Sequence, residues 1–217
     1  YKRQVVLKME NLQRTGSFKI RGSAYRLSQL SAEERSRGVV AASAGNHAQG
    51  VALAAQTLGI QATIFVPLGI PVPKLLATRS YGAEVVLEGE TVATSLRLAA
   101  EFAERTGAVI IHPFDHRDVV IGQGTLGLEL LEDAPDVDTI VLGIGGGGLI
   151  AGVAAAVKAK AAELGRSVRI IGVQAENAAA MIPSLEAGYP VDIETKPTIA
   201  DGILVARPGA IPVSYTH

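Results

Sequence analysis

The 217-residue chain contains no cysteine and no tryptophan. The lack of cysteine excludes disulfides and zinc–thiolate centres and is in keeping with a cytoplasmic protein. Aromatic residues make up only 4% of the chain, although 48% is hydrophobic. Any core must therefore be built from Ala, Val, Leu and Ile. Neither sign of charge prevails: 20 Lys and Arg against 21 Asp and Glu leave a formal net charge of −1. Such a balance offers no basic field to nucleic acid or to an anionic membrane surface. No uninterrupted apolar run reaches the length of a membrane span, and internal repeats and low-complexity linkers are lacking. An initiator Met is missing too. The opening "YKRQVVLKME" reads as a strand rather than as a signal peptide, and the closing "IPVSYTH" as an extended polar stretch. Truncation at both ends is the expectation, with "VSYTH" a cloning or sequencing scar.

What is present is an alternation of short β-branched runs with longer helical patterns. The strand candidates are "QVVLKM", "GVVAAS", "ATIFVP", "AEVVLE", "AVIIHP", "DTIVLGI" and "VRIIGVQ". Helical spacing predicts helices near 18–30, 47–58, 72–80, 91–106, 122–133, 148–164 and 178–187. Gly59 and Gly165 stand where helices would stop. Runs such as "TIVLGI" are apolar throughout rather than alternating, which predicts strands covered on both faces. The fold class read from this is α/β: open, mainly parallel sheets with helices on both faces. In such sheets ligands gather where strands lead into helix N-termini. Three unusual loops fall at such junctions.

The first is "GIGGGGLIAG". Gly145, Gly146, Gly147 and Gly148 follow an apolar strand and open an Ala-rich helix, a setting that suits a phosphate cup better than a flexible linker. Gly143, Gly145 and Gly148 also match the dinucleotide fingerprint, but the acidic residue expected about 20 positions on is missing from "GRSVRI". A nicotinamide-dependent oxidoreductase stays open as an alternative. The second loop is "SAGNHAQG", residues 43–50. Ser43 and Asn46 offer hydrogen bonds, and Ala44 and Gly45 let backbone N–H groups approach an anion such as a carboxylate. Plain helix capping by Ser43 or Asn46 accounts for the same residues equally well. The third is "RTGSFKIRG". With Ser17 as cap, Lys19 falls in the first helical turn, where the dipole and an apolar flank would lower its pKa and leave a usable amine. Taken alone, Lys19 reads as one solvated basic residue among 20. His112 and His116 flank Asp115 without a metal-ligand pattern. Glu33, Glu34, Arg35 and Arg37 read as a solvated helix end, and Ser43 with His47 lacks the acid of a hydrolase triad.

Together, "ENLQRTGSFKIRG", "SAGNHAQGVA", "GQGTLGLE" and "GIGGGGLIAG", in this order, resemble the fold type II pyridoxal-phosphate enzymes, and within them the threonine dehydratase and serine racemase family. The resemblance runs from about Val5 to about Gly209. It implies a tryptophan synthase β-like fold of two domains, a large cofactor domain from 1–40 and 119–217 and a small inserted domain at 41–118. It implies that Lys19 is the Schiff-base lysine, that Phe18 lies beside the cofactor and that Asn46 hydrogen-bonds its ring hydroxyl. Gly145 to Gly148 and Leu149 would bind the phosphate through backbone N–H groups. Ser43, Ala44, Gly45 and His47 would surround a substrate carboxylate. The implied activity is β-elimination from L-threonine, and from L-serine, to a 2-oxo acid and ammonia, with Lys19 as the base at Cα.

Racemase-like relatives carry a second serine where this chain has Ala44, so little racemisation is expected. Their divalent-cation site uses carboxylates where Gln174 and Ala180 stand here, so no metal site is expected. His116 replaces a frequent acid. The Ser-Gly-Gly-Asn-like loop facing the pyridine nitrogen is not found after Gly148, so the 217 residues alone are expected to hold cofactor weakly or not at all and to be inactive, and the full-length parent to be active. A serine racemase or another β-replacing enzyme on the same cofactor is the alternative within the resemblance, and a non-catalytic sensing domain lies outside it. The resemblance also implies a small amino-acid substrate as partner, no nucleic acid or membrane, a homodimer or homotetramer in full-length form, and a place in amino-acid metabolism that includes isoleucine biosynthesis.

Overall fold

In the computed structural model, residues 4–215 are described. Residues 1–3 and 216–217, the latter part of "VSYTH", lie outside them. The chain divides into two units, Asn11–Pro113 and Tyr1–Glu10 with Phe114–His217.

The first unit is built on a four-stranded parallel sheet. Its elements run α1 (Lys19–Ser28), α2 (Ala32–Arg37), β1 (Val39–Ala42), α3 (Asn46–Leu58), β2 (Ala62–Val66), α4 (Val72–Ser80), β3 (Glu84–Leu87), α5 (Val92–Thr106) and β4 (Val109–Ile110). The strand order is β3-β2-β1-β4, with Val39 beside Ala62 and Val109 in register. Every residue of β1 and β2 is buried, as expected for strands covered on both faces. The period of two sorts their side chains. Val39 and Ala41 join Leu27, Val51, Ala52 and Ile64 on one side. Val40 and Ala42 join Phe65 and Ala99 on the other, where the Phe65 and Phe102 rings meet edge to face at 5.6 Å. Each Val, Leu, Ile or Phe side chain so buried contributes about 1.5–3 kcal/mol, and each Ala less. The expected solvated helix end is a separate helix, α2. Its start is a capping box in which the Ser31 hydroxyl accepts the Glu34 N–H and the Glu34 carboxylate accepts the Ser31 N–H. Gly59 closes α3 in the left-handed conformation, as expected. Residues 11–40, grouped with 119–217 in the sequence reading, pack in this unit: α1 lies against α3, and β1 is a central strand.

The second unit carries α6 (Arg117–Asp133), β5 (Thr139–Gly143), α7 (Gly148–Glu163), β6 (Arg169–Val173), α8 (Met181–Ala187) and α9 (Ala210–Tyr215). β5 and β6 pair in parallel, Thr139 with Arg169 through Gly143 with Val173. Four expectations fail here. "QVVLKM" forms no strand, because no described strand pairs with it. Val5, Val6 and Leu7 are exposed, and the segment is tied down through Lys8, whose ammonium donates to Glu129 at 2.9 Å and Asp133 at 2.6 Å. The run "TIVLGI" is not covered on both faces, since Val141 is 61% exposed. Helix α6 starts at Arg117 instead of 122, because the His116 ring nitrogen accepts the Asp118 N–H and caps it. The closing segment is helical rather than extended: α9 takes up residues 210–215.

Helices α6 and α7 cross at glycines. A methyl group at Gly152 would lie 2.2 Å from the Val120 carbonyl oxygen, and one at Gly127 2.8 Å from Val157. Because the obstacle at Gly152 is backbone, no rotamer change can relieve it. Gly152→Ala is therefore expected to lower stability by roughly 2–3 kcal/mol, read as an earlier urea midpoint. An unchanged midpoint would mean that the two helices are free to separate.

Candidate functional site

Lys19 opens α1. The segment before it is strained: Thr15 has φ +73° and Gly16 φ +67°. A β-branched residue in the left-handed region costs of order 1 kcal/mol or more, and the Thr15 hydroxyl is buried without a hydrogen-bond partner. Ser17 is not the expected cap. Phe18 holds that position without a side-chain bond, and the Ser17 hydroxyl accepts only the Lys19 N–H, at 3.4 Å. The Lys19 ammonium donates to the Pro113 carbonyl at 2.8 Å and lies 5.4 Å from the Phe18 ring centre. Its side chain is partly buried with the ammonium deep among protein atoms, and burial lowers the pKa from 10.5 to about 8. A solvated lysine would keep its ordinary value.

The "SAGNHAQG" loop is brought to Lys19 by a glycine that the sequence reading did not single out. A methyl at Gly50 of α3 would stand 3.1 Å from the Lys19 carbonyl carbon and 3.2 Å from the Ile20 nitrogen. Glycine thus lets α3 lie directly against the first turn of α1. Ser43 and Asn46 do not cap α3 through their side chains. The N-cap is Gly45, and the Ser43 hydroxyl accepts the Gly45 N–H at 3.2 Å. Asn46 presents an exposed side chain, and Ser43, Ala44 and Gly45 are half-buried. His47 turns inward. It is 4% exposed, and its Nε2 lies 2.8 Å from the Ile111 carbonyl, so this nitrogen carries the proton. Burial, and then the charge of Lys19, lower its pKa to about 3. The imidazole is thus a neutral anchor, and what His47 can offer an anion is its backbone N–H at the start of the helix.

The glycine loop belongs to the other unit. Gly147 is the N-cap of α7 with φ +94°, and Gly146, Gly147 and Gly148 are buried. Among the described residues, no backbone group accepts the N–H of Gly145, Gly146, Gly147, Gly148 or Leu149. Buried N–H groups are almost always paired; those of Gly146, Gly147 and Gly148, without a partner at a helix start, fit an anion. Side chains are excluded from the loop on every flank. A methyl at Gly146 would lie 2.3 Å from the Phe114 ring, one at Gly148 2.8 Å from the Phe114 carbonyl oxygen, and one at Gly147 2.6 Å from both Met181 and Pro212. Gln174 braces the same region. Its amide donates to the carbonyls of Ala178 at 3.2 Å and Ile144 at 3.4 Å and accepts the Met181 N–H at 2.9 Å. The structure thus brings Phe18, Lys19, Ser43, Ala44, Gly45, Asn46 and His47 together in one unit, and builds Gly145 to Leu149 as a cradle in the other. Gly50, Pro113, Phe114 and Met181 went unnoticed in the sequence, because their part rests on contacts that spacing does not encode.

The residues of the chain, 1–217, match the model of the family described as "Pyridoxal-phosphate dependent enzyme". The L-threonine ammonia-lyase of Thermotoga maritima is 55% identical over 206 residues, 95% of this chain and 50% of the relative. The L-threonine dehydratase catabolic TdcB of Escherichia coli K12 is 48% identical over 208 residues, 96% of this chain and 62% of the relative. The chain therefore spans about half to three fifths of these curated relatives. Among solved structures, threonine deaminase isoform 2 from Solanum lycopersicum superposes with a TM-score of 0.89 at 43% identity, over 95% of this chain and 60% of the other. Maize serine racemase does so with 0.87 at 39%, over 95% and 62%. The fold is the fold type II architecture of these enzymes, and the nicotinamide alternative finds no support. A buried amine of lowered pKa, an anion cradle of bare N–H groups and a match along the whole chain agree: this chain belongs to the pyridoxal-phosphate dependent enzyme family.

Proposed function

We propose that the whole protein containing this chain is an ammonia-lyase that eliminates water from L-threonine, and from L-serine, to give a 2-oxo acid and ammonia. The observation that carries this is Lys19: an amine with pKa about 8 whose bonding partner is a peptide carbonyl. Each group of residues, taken in its own unit, suits a part of pyridoxal phosphate. The unpaired N–H groups of Gly145 to Leu149 would hold its phosphate, Lys19 would be the covalent tether, and Asn46 and Phe18 would meet the ring. When bound, the cofactor supplies an electron sink for the charge that develops at the substrate Cα.

The remaining work falls to the chain's own residues. Lys19 accepts the Cα proton at Nζ, a task suited to an amine whose pKa lies near the working pH. The Ser43 hydroxyl and the N–H groups at the start of α3 receive the substrate carboxylate. His47, neutral and fixed on Ile111, holds that loop in place and takes no proton itself. Ala44 has no exchangeable proton, so no donor of this loop serves the second face of Cα. The close likeness to a serine racemase keeps racemisation as the second reading, and product analysis separates the two. The same reading extends to a cytoplasmic location, a homodimer or homotetramer, and the supply of a 2-oxo acid to isoleucine biosynthesis. None of the described helices is long and apolar enough to cross a membrane.

Two outcomes are expected. The whole protein should convert L-threonine to 2-oxo acid and ammonia in equal amounts, with negligible D-serine from L-serine. Lys19→Ala should lower kcat by at least about 10³-fold. D-Serine formed at a rate comparable with ammonia would replace the lyase reading by the racemase one. The second outcome concerns pH. The folded-state pKa of Lys19 is about 8 against an ordinary 10.5, so between these values the unfolded chain binds more protons and stability rises with pH. Below pH 8 the buried charge costs the fold on the order of 3 kcal/mol. Lys19→Met removes this cost and loses the bond to Pro113, so the cofactor-free variant should be roughly 1–2 kcal/mol more stable than the parent near pH 7. The gap should close towards pH 10. Thermal unfolding across that range checks it, and a variant less stable at neutral pH would contradict the buried charge.

A further inference from the structure

The glycine cradle is held from behind by a carboxylate that no step above uses. Asp115 follows Phe114, whose ring and backbone close over Gly146 and Gly148. Its two carboxylate oxygens accept the N–H groups of Ala210 at 3.0 Å and Ile211 at 2.9 Å. The residue before these, Gly209, donates its N–H to the Gly146 carbonyl at 3.0 Å. One residue further on, Pro212 lies against Gly147: a methyl there would stand 2.6 Å from the Pro212 Cβ. The approach of Asp115 is close enough to require glycine on the other side, since a methyl at Gly209 would lie 2.7 Å from the Asp115 carboxyl carbon. Asp115 thus ties residues 209–211 to the same short segment that covers the loop, and residues 209–212 reach the loop at Gly146 and at Gly147.

We infer that Asp115 is a positioning residue for the phosphate-binding cradle: by fixing residues 209–211 it sets the peptide plane between Gly146 and Gly147, and with it the direction of the Gly147 N–H. A carbonyl oxygen and the next residue's N–H share one rigid plane. The bond from Gly209 to the Gly146 carbonyl therefore orients the N–H of Gly147 on the opposite side. When Asp115 releases 209–211, that plane is free to turn, and an N–H meant for a phosphate oxygen no longer points at it. A loss of aim at one donor affects binding of the phosphate and leaves the amine chemistry of Lys19 intact.

This inference rests on the pyridoxal-phosphate reading, and the test separates the two. The affinities of the whole protein for pyridoxal 5'-phosphate and for pyridoxal, which lacks the phosphate, are measured by fluorescence titration for the parent, Asp115→Asn and Gly209→Ala. Asp115→Asn keeps one acceptor oxygen, and Gly209→Ala pushes the carboxylate away without altering it. Both are expected to weaken pyridoxal 5'-phosphate binding about tenfold and to leave pyridoxal binding unchanged, with the reduced adduct still at Lys19. Equal weakening of both ligands would reduce Asp115 to a general structural part. Unchanged binding of both would overturn the inference outright. A parent protein that binds the two ligands equally would sink the phosphate cradle itself, and the Asp115 role with it.

Discussion

An ammonium group taken out of water and given one peptide carbonyl is an unfavourable arrangement, and the site is organised around it. The Lys19–Pro113 bond stabilises the charge only in part, as the pKa of about 8 records. Around it the packing leaves little choice. The left-handed pair Thr15–Gly16 turns the chain into α1, Gly50 admits α1 against α3, and His47 is pinned neutral to Ile111. A stable protein has no use for such a lysine; a site that needs an uncharged amine near neutral pH does. Pro113 and Phe114 are consecutive residues, so one peptide bond separates the carbonyl that receives the amine from the ring that closes over the glycine loop.

Glycine does most of the assembly, in two ways. At Gly147 the backbone conformation itself requires it. At Gly50, Gly146, Gly148 and Gly152 the requirement is space, because a single methyl would meet backbone or a ring. The first N–H groups of any helix lack an intrahelical acceptor, and at the start of α7 the glycines place no side chain over them.

Much of this was legible in the sequence, for identifiable reasons. The strands at 39–42 and 62–66 are apolar in every position but Thr63, so their two-sided burial follows largely from composition. The stop at Gly59 follows from its left-handed conformation, and the three loops stand out because glycine, serine and asparagine cluster between periodic segments. The string "RTGSFKIRG" by itself leaves Lys19 a solvated lysine; the order of all the motifs together is what marks it. Other features were not legible. The apolar "QVVLKM" has the composition of a strand, but pairing depends on a neighbour that periodicity does not supply. The start of α6 at Arg117 was hidden because histidine is an uncommon cap and Gly122, Gly124 and Gly127 weaken the helical signal. The commitment of the His47 ring to Ile111 spans 64 residues, and spacing does not encode it. Asp115 and Gly209 are 94 positions apart in sequence, and no local pattern links them.

The central claim is that Lys19 is the amine that carries the cofactor. The most direct test is to incubate the whole protein with pyridoxal 5'-phosphate, reduce it with borohydride and locate the adduct by peptide mass spectrometry. The account predicts one reduced adduct, on Lys19, accompanied before reduction by a visible absorption band. An adduct on another lysine with Lys19 unmodified, or labelling scattered over many lysines, would contradict it.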